Sequence, residues 1–239
     1  MALFRSVLFN LLMWSSVAIY APLSLLTIVL PFSWRYRIIR QWARWQMIML
    51  IKLCGLGFRV EGREHLPPGA AVILSKHQSA WETIAFQEIF PPQTWVLKRE
   101  LLWIPLFGWA LALLRPIAID RRAGRKAIEQ VIEQGRDRLQ SGIWVVVFPE
   151  GTRVAPGTRR RYGIGGAVLA AATGYPVVPV AHNAGSFWPR RGFLKHPGTI
   201  RVVIGPVIDS RGKTAEEIRQ IAEAWIETTM VELQGSSSS

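Results

Sequence analysis

The sequence predicts a layered α/β fold with a largely parallel sheet and flanking helices, preceded by a helical membrane segment. From residue 56 onward, short apolar runs rich in β-branched residues alternate with longer amphipathic runs. This pattern is typical of parallel sheets whose strands are joined by helices. Residues 6–34, by contrast, contain no charged side chain. We therefore expect a membrane-anchoring helical segment at 1–55, one α/β domain at 56–234 and a disordered tail at 235–239.

Apolar runs bounded by Gly, Pro and charged residues give the predicted strands. They are 58–61, 70–75, 94–98, 116–120, 143–148, 177–181 and 200–205. The amphipathic runs between them give the predicted helices. They are 80–89, 105–114, 124–140, 165–173 and 215–233. One strand contains Pro179, which lacks the N–H that a ladder needs, so we expect that strand at a sheet edge or at a bulge.

The uncharged segment holds 29 residues, more than the roughly 20 that a helix needs to cross the hydrocarbon core. It is too long for a signal peptide and lacks a small-residue cleavage site. Pro22 divides it, so two arrangements stay open: one tilted span over 7–30, or a re-entrant pair of half-helices. Only Arg5 and the amino terminus flank it on one side, whereas basic residues follow Trp34 closely. The positive-inside rule therefore places the following domain in the cytoplasm.

Residues 36–53 predict an amphipathic helix that lies on the membrane surface. Its apolar side chains recur every three or four residues, while its arginines share another face. The apolar set is Ile38, Trp42, Trp45, Met49 and Leu53, and the basic set is Arg37, Arg40 and Arg44. Tryptophan suits the headgroup region and arginine suits anionic lipids. The alternative is a core helix packed on the globular domain.

A histidine and a carboxylate five positions apart, His77 and Glu82, follow the predicted strand 70–75. An imidazole can take a proton from a hydroxyl, and a carboxylate on its other nitrogen stabilises the imidazolium that forms. On one helix the two side chains would point about 140° apart, so His77 must precede the helix. Ser79 opens a Ser-x-x-Glu capping box, which puts the N-cap at Ser79. Glu82 is therefore either the orienting acid or only a helix cap.

Two further predicted strands deliver basic residues at their ends. The strand 143–148 leads into Pro149, Glu150, Gly151, Thr152 and Arg153. The strand 116–120 delivers Arg121. Open α/β sheets bind ligands at the carboxyl ends of their strands, and a planar guanidinium binds phosphate through a fork. Arg121 and Arg153 are therefore candidate phosphate ligands, Gly151 allows close backbone approach, and Glu150 can hold an arginine or a ligand hydroxyl.

Together these blocks resemble the four motifs of the glycerolipid acyltransferases, most closely the bacterial 1-acyl-sn-glycerol-3-phosphate acyltransferases, from about Phe58 to Val207. The resemblance implies that His77 deprotonates the acceptor hydroxyl and that Glu82 orients His77. The family usually has aspartate where Glu82 stands, which leaves the geometry of the pair open. The glycerol phosphate of the acceptor would be held by Lys98, Arg121, Glu150, Gly151, Thr152 and Arg153.

The resemblance also implies the reaction. A fatty acyl group would pass from an acyl-CoA or acyl carrier protein thioester to lysophosphatidic acid, giving phosphatidic acid for phospholipid biosynthesis at the bacterial inner membrane. A thioester is already activated, so we expect neither a cofactor nor a covalent enzyme intermediate. Another lysophospholipid or glycerol 3-phosphate stays open as the acceptor, although the apolar run 101–107 favours an acceptor that already has one acyl chain.

Two functions from other classes fit less well. A lipid hydrolase of the common kind would need a serine in Gly-x-Ser-x-Gly, which is missing from the sequence. A membrane-surface binding protein without catalysis would have no use for His77.

Charge and composition agree with a membrane protein that handles phosphates. The net charge is +13, and seven cations precede the first acidic residue, Glu61. No nucleic-acid recognition motif accompanies this charge, and a soluble nucleic-acid binder has no use for a long uncharged segment. The expected partners are therefore the lipid bilayer, lysophosphatidic acid and the acyl donor, and not nucleic acid.

Cysteine and histidine usage predicts no disulfide and no metal. The single cysteine, Cys54, excludes an intramolecular disulfide and lies at the end of an apolar helix, where we expect an inert buried thiol. The four histidines are scattered without metal-ligand spacing. The glycine-rich run 163–166 opens a helix without the dinucleotide-binding pattern, and we expect it to give the chain clearance behind the arginine loop.

Overall fold

The computed structural model of the protein describes residues 1–235, without the side chain of Arg121. The predicted tail at 235–239 therefore lies outside the described residues, apart from the backbone of Gly235. Seven strands lie in the described part of the chain. They are β1 (Leu56–Glu61), β2 (Val72–Ser75), β3 (Gln93–Lys98), β4 (Ile117–Ile119), β5 (Trp144–Val147), β6 (Val177–His182) and β7 (Gly198–Ile204).

The strands form one sheet in the order β1-β7-β6-β2-β5-β3-β4. Neighbouring strands run parallel except β6 and β7, which run antiparallel. The helices are α1 (Ala2–Leu25), α2 (Phe32–Cys54), α3 (Trp81–Ile89), α4 (Phe107–Ala112), α5 (Arg125–Gln140), α6 (Gly165–Thr173), α7 (Ala184–Phe187) and α8 (Ala215–Gly235). The predicted fold class is confirmed. Only α7 lacks a predicted counterpart, because four residues are too few to show a helical period.

The prediction that Pro179 marks an edge strand or a bulge is wrong. Its strand, β6, lies inside the sheet between β2 and β7, and its register with β2 continues through Pro179. The antiparallel ladder to β7 begins one residue later, where Val180 pairs with Ile204. The Pro179 carbonyl accepts a hydrogen bond from the Gly205 N–H at 2.9 Å. An interior proline is tolerated here because its missing N–H falls beyond the paired residues of the ladder.

Buried side chains alternate across the sheet and form two cores. In β2, Ile73 lies in the core beneath α1, α2 and α3, whereas Val72 and Leu74 lie in the core beneath α5, α6 and α8. Strand β5 repeats this alternation, with Val146 in the first core and Val145 in the second. The central strands are thus buried on both faces, which is why they are continuous apolar runs in the sequence.

Helix α1 continues through Pro22 to Leu25, so the proline does not divide the uncharged segment into two half-helices. With the 3₁₀ turn that follows, Ala2–Val29 is long and apolar enough to cross a membrane by length and composition. Large apolar side chains on this stretch are exposed, among them Leu11, Trp14 and Leu26. That α1 spans the bilayer stays a prediction.

Helices α1 and α2 form an antiparallel hairpin. Near its open end, the Cys54 thiol lies 3.8 Å from the Arg5 carbonyl oxygen. Near its middle, the Ser16 hydroxyl accepts hydrogen bonds from Gln46 Nε2 at 2.8 Å and from Trp42 Nε1 at 3.1 Å. Cys54 is buried, and burial raises the pKa of its thiol above the usual value. An inert thiol is the expected result.

The amino-terminal half of α1 packs directly on the α/β domain. Phe9 is fully buried, and its ring meets the Trp188 ring edge-on with centroids 5.7 Å apart. The Ser6 hydroxyl accepts a hydrogen bond from the Lys195 N–H at 2.9 Å, and Lys195 Nζ donates to Asn10 Oδ1 at 2.6 Å. The hairpin and the domain therefore share one core.

Helix α2 buries one face in that core. The buried residues are Tyr36, Ala43, Gln46, Met47, Leu50 and Cys54, whereas Arg37, Arg40 and Arg44 are exposed. The predicted apolar set, from Ile38 to Leu53, flanks the buried stripe and is half-buried. The alternative of a helix packed on the globular domain therefore holds for this face. Contact between the rest of α2 and the bilayer stays a prediction.

Two adjacent glycines at the start of α6 provide a matched test of helix-to-sheet packing. A Cβ on Gly166 would lie 2.5 Å from Leu74 Cδ2 and 3.1 Å from Val147 Cβ, whereas a Cβ on Gly165 meets nothing within 4 Å. We expect Gly166→Ala to lower the free energy of unfolding by about 1–3 kcal/mol. Gly165→Ala should raise it by up to about 1 kcal/mol, because alanine is the better helix former. Urea denaturation in detergent measures both, and equal effects would contradict the packing.

Candidate active site

The predicted site residues lie at one edge of the sheet because each follows the carboxyl end of a parallel strand. Across the sheet from β2 to β4, these strand ends carry His77, Arg153, Lys98 and Arg121. His182, which was not a predicted site residue, ends the neighbouring strand β6. Residues that are far apart in the chain are thus brought to neighbouring positions by the strand order. This is the edge at which open α/β sheets bind ligands.

His77 lies in the loop between β2 and α3, as predicted. Its Nδ1 is 2.8 Å from Glu82 Oε1. The Ser79 hydroxyl accepts from the Trp81 N–H at 3.1 Å, and the Glu82 carboxylate accepts from the Ser79 N–H at 2.8 Å. The two alternatives for Glu82 are therefore not exclusive, since one carboxylate caps the helix and contacts the imidazole. The N-cap is Ala80, one residue later than predicted.

The Glu82 carboxylate is fully buried and is surrounded by donors. Its Oε1 also accepts from the Gln78 N–H at 2.8 Å. Burial acts to raise the pKa of Glu82, but the electrostatic interaction with the nearby His182 ring and the hydrogen bonds from His77 and the Ser79 N–H outweigh it and hold the pKa below its usual value. An ionised carboxylate only accepts hydrogen bonds, so His77 Nδ1 carries the hydrogen. Nε2 is then the nitrogen with a free lone pair.

The His77 ring is held flat against Phe148, the last apolar residue before the loop after β5. The two ring planes are 13° apart with centroids 4.0 Å apart. The His77 side chain is 14% exposed, and its Nε2 makes no hydrogen bond to any side chain that the structure describes. The imidazole is therefore fixed in orientation while its basic nitrogen stays accessible from the sheet edge.

The loop after β5 holds the backbone of His77 from both sides. Glu150 Oε2 accepts from the His77 N–H at 2.7 Å, and the Val154 N–H donates to the His77 carbonyl at 2.7 Å. Gly151 makes the turn possible with φ of 70°, a backbone conformation that favours glycine. The sequence suggested that Glu150 faces a ligand. The structure instead places its side chain in the interior, fully buried.

His182 supports the residue before His77. Its Nε2 lies 2.9 Å from the Lys76 carbonyl oxygen, and its Nδ1 accepts from the Ala184 N–H at 3.3 Å. Burial lowers the pKa of His182, which keeps the ring neutral with its hydrogen on Nε2. In the sequence His182 was visible only as the end of an apolar strand.

Lys76 is a second residue whose role the sequence did not indicate. Its side chain is 2% exposed, and Nζ lies 2.7 Å from Glu150 Oε1 and 2.8 Å from Glu227 Oε1. The Tyr162 hydroxyl donates to Glu227 Oε1 at 2.9 Å. The one available signal was position, because a lysine directly before the candidate base, at the end of a buried strand, needs a partner for its charge.

The predicted phosphate ligands follow neighbouring strands at the same edge of the sheet. Lys98 is exposed at the end of β3, and its register partner on β4 is Ile119, two residues before Arg121. The side chain of Arg121 lies outside the described part of the chain. Arg153 is half-buried, and its carbonyl accepts from Arg190 Nη1 at 2.9 Å. Thr152, also half-buried, precedes it in the same loop.

Comparisons with known proteins show the family to which this chain is similar. The family model described as acyltransferase matches residues 57–183. A 1-acyl-sn-glycerol-3-phosphate acyltransferase from Pseudomonas aeruginosa is 46% identical over 234 residues, covering 96% of this chain and 91% of the relative. The human 1-acyl-sn-glycerol-3-phosphate acyltransferase alpha is 31% identical over 181 residues, covering 74% of this chain and 64% of the relative.

A solved structure has the same fold. The 1-acyl-sn-glycerophosphate (LPA) acyltransferase from Thermotoga maritima superposes with a TM-score of 0.81 at 23% identity, covering 98% of this chain and 96% of that one. At 23% sequence identity, this similarity shows the fold alone. The family model and the more similar relatives carry the assignment further: the chain belongs to the acyltransferase family.

Proposed function

We propose that this protein transfers a fatty acyl group from an acyl thioester to the free hydroxyl of 1-acyl-sn-glycerol 3-phosphate, making phosphatidic acid. The observation that carries the proposal is the pairing of His77 Nδ1 with the buried Glu82 carboxylate at 2.8 Å, which leaves Nε2 as an accessible base. The names of the relatives from Pseudomonas aeruginosa and human supply the acceptor.

The reaction needs one base and no covalent intermediate. His77 Nε2 takes the proton from the acceptor hydroxyl while the oxygen attacks the thioester carbonyl, forming the new C–O bond. The C–S bond then breaks, and the imidazolium returns the proton to the departing thiolate. The Glu82 carboxylate stabilises the imidazolium between these two steps, because the charge forms beside a buried anion. The thioester is the co-substrate, and no cofactor is required.

The acceptor phosphate is assigned to the cations next to His77. Lys98, Arg121 and Arg153 follow neighbouring strands at the same edge, with Gly151 and Thr152 in the loop of Arg153. Glu150 accepts a hydrogen bond from the His77 N–H and is assigned to hold the His77 backbone rather than the ligand. Exposed apolar side chains begin directly after β3, at Leu101, Trp103, Ile104, Leu106, Phe107 and Trp109. Such a surface suits an acceptor that already carries one acyl chain.

A single panel of acceptors tests the substrate assignment. Membranes containing the protein are offered lysophosphatidic acid, glycerol 3-phosphate or lysophosphatidylcholine with one labelled acyl thioester, first as the coenzyme A ester and then on acyl carrier protein. We expect label in phosphatidic acid. Label only in phosphatidylcholine or only in lysophosphatidic acid would reassign the acceptor, and the faster thioester identifies the donor.

We also propose that the protein is held at the inner membrane, with the catalytic domain on the cytoplasmic side. The support is the exposed apolar side chains of Ala2–Val29 and the exposed arginines of α2, which suit the anionic lipids of the cytoplasmic leaflet. Exposed apolar side chains on α1 would lie in the hydrocarbon region, next to the arginines of α2.

The dyad gives the first prediction for this function. His77→Ala should lower kcat by roughly two to four decades with little change in acceptor KM, because the base acts only on the reacting proton. Glu82→Gln should also lower kcat, whereas Glu82→Asp should keep a measurable rate. Steady-state kinetics in detergent micelles measure all three. Equal rates for the Gln variant and the unmodified protein would reduce Glu82 to a helix cap.

The second prediction concerns the phosphate. Arg153→Lys should raise the acceptor KM by about one to two decades, corresponding to roughly 1.5–3 kcal/mol for a charge-assisted hydrogen bond, with little effect on the donor KM. Arg159→Lys, at an exposed arginine of the same loop, is the matched control. A monoacylglycerol, which has no phosphate, should be a poor acceptor for both variants alike. A rise in the donor KM alone would move Arg153 to the donor side.

The third prediction tests the membrane attachment. Leu26 is 74% exposed at the end of the apolar stretch. Leu26→Asp should lower the membrane-bound fraction after a high-salt wash, because a charge in the hydrocarbon region costs about 2.5–3.5 kcal/mol. Gln140→Asp, at an exposed position of α5 on the α/β domain, adds the same charge away from the proposed membrane surface and should leave the bound fraction unchanged. Quantitative immunoblots of the two fractions compare them.

A further inference from the structure

Lys76 is a buried cation placed between two carboxylates directly behind the proposed base. Its ammonium lies 2.7 Å from Glu150 Oε1 and 2.8 Å from Glu227 Oε1, and its side chain is 2% exposed. A lysine withdrawn from water needs such partners to stay charged. The next residue in the chain is His77, so any change in this cluster acts on the backbone that carries the imidazole.

The two carboxylates come from different parts of the fold. Glu150 belongs to the loop after β5, and its second oxygen accepts the His77 N–H at 2.7 Å. Glu227 belongs to α8, and its Oε1 also accepts from the Tyr162 hydroxyl at 2.9 Å. A continuous chain of contacts therefore runs from α8 through Glu227, Lys76 and Glu150 to the His77 backbone.

Stability alone does not explain this cluster. It holds one ammonium and two carboxylates, and buried ion pairs are often no more stabilising than apolar side chains of similar volume. Burial raises the pKa of Glu150, and the charge of Glu227 raises it further against the pull of Lys76 and the His77 N–H. Tyr162, whose pKa burial also raises, stays a donor to Glu227.

We propose that Lys76 and Glu227 are positioning residues for acyl transfer, which hold Glu150 in the orientation that fixes the His77 backbone. Lys76 directs one Glu150 oxygen inward, so that the other is left to accept the His77 N–H. Glu227 in turn holds the Lys76 ammonium and limits its attraction to Glu150. Removing either charge lets the Glu150 carboxylate turn, and the loop that presents His77 loses one of its fixed contacts.

This inference gives α8 a part in the reaction. The acyltransferase family model matches residues 57–183, whereas Glu227 lies 151 positions after Lys76 in the carboxyl-terminal helix. The site is therefore completed by a helix outside the matched region. Helix α8 also packs in the second core through Ile218, Ala222 and Ile226, so its position relative to the sheet is fixed.

The inference rests on the proposed acyl transfer, and the experiment separates the two. Glu227→Gln removes a charge and keeps the shape of the side chain. Glu232→Gln makes the same change at an exposed position of the same helix. Lys76→Met removes the opposite charge, and His77→Ala serves as the reference for the loss of the base. For each variant, kcat and both KM values are measured from pH 5 to pH 9 with lysophosphatidic acid and the faster thioester, together with the melting temperature.

We expect the variants to change both the size of kcat and the pH at which it falls. Glu227→Gln should lower kcat by about three- to thirty-fold and change neither KM by more than about twofold. The acidic limb of the pH profile of kcat is expected where the base, His77, becomes protonated. Because Glu227→Gln removes a negative charge near that base, it should move this limb to lower pH by about 0.5–1.5 units. Lys76→Met should move the limb to higher pH. The groups that face Glu150 in this comparison are Lys76, Glu227, Tyr162 and the His77 backbone, with His182 next to Lys76 and Glu223 next to Tyr162.

Two results would overturn the inference. One is a Glu227→Gln variant with the kcat and pH profile of Glu232→Gln. The other is a loss of activity that follows the melting temperature in both variants without movement of the limb, which would make the cluster purely structural. If Lys76→Met does not fold, Lys76→Gln replaces it, since it also removes the positive charge but keeps a hydrogen-bond donor, and it should move the limb to higher pH as well. Full activity of His77→Ala would instead refute the proposed function itself.

Discussion

A carboxylate that is withdrawn from water must be surrounded by hydrogen-bond donors, and this requirement at Glu82 organises the whole active site. The donors are the N–H groups of Gln78 and Ser79 and the imidazole of His77. To bring them together, the chain must leave β2, turn tightly and begin α3 only at Trp81. The same turn keeps His77 off the helix and fixes which of its nitrogens is the base. Catalytic geometry and helix capping are therefore one interaction.

The parallel sheet brings the other residues of the site next to this turn. Its strand ends place the loop after β5 next to the loop after β2, so Glu150 and Val154 reach the His77 backbone, and Arg153 lies in the same loop. Further along the same edge, β3 and β4 add Lys98 and Arg121. A base and a row of cations are obtained from four loops that follow neighbouring strands of the sheet. The rigid strands, and not the loops, set the spacing between them.

The sequence revealed the features that depend on local pattern, and missed those that depend on partners far along the chain. The five-residue spacing and the capping box predicted the contact between His77 and Glu82. Alternating strands and helices predicted the sheet. The inward direction of Glu150 was not predictable, because it depends on Lys76, and the second partner of Lys76 lies 151 positions away. Pro179 was misplaced for a related reason, since its tolerance depends on where the ladder to β7 begins.

The packing of the hairpin on the domain limits how the protein can be modified. Phe9 is fully buried against Trp188, and the Ser6 hydroxyl accepts a hydrogen bond from the Lys195 N–H. One face of α1 therefore belongs to the core of the domain, while its other face is an exposed apolar surface. Deleting residues 1–31 would remove the exposed apolar side chains of α1, but it would also expose the apolar surface of the domain that α1 covers. We therefore expect that shortening the chain does not make it water-soluble. A soluble form would have to be obtained by redesigning the outer face of α1 while its inner face is kept.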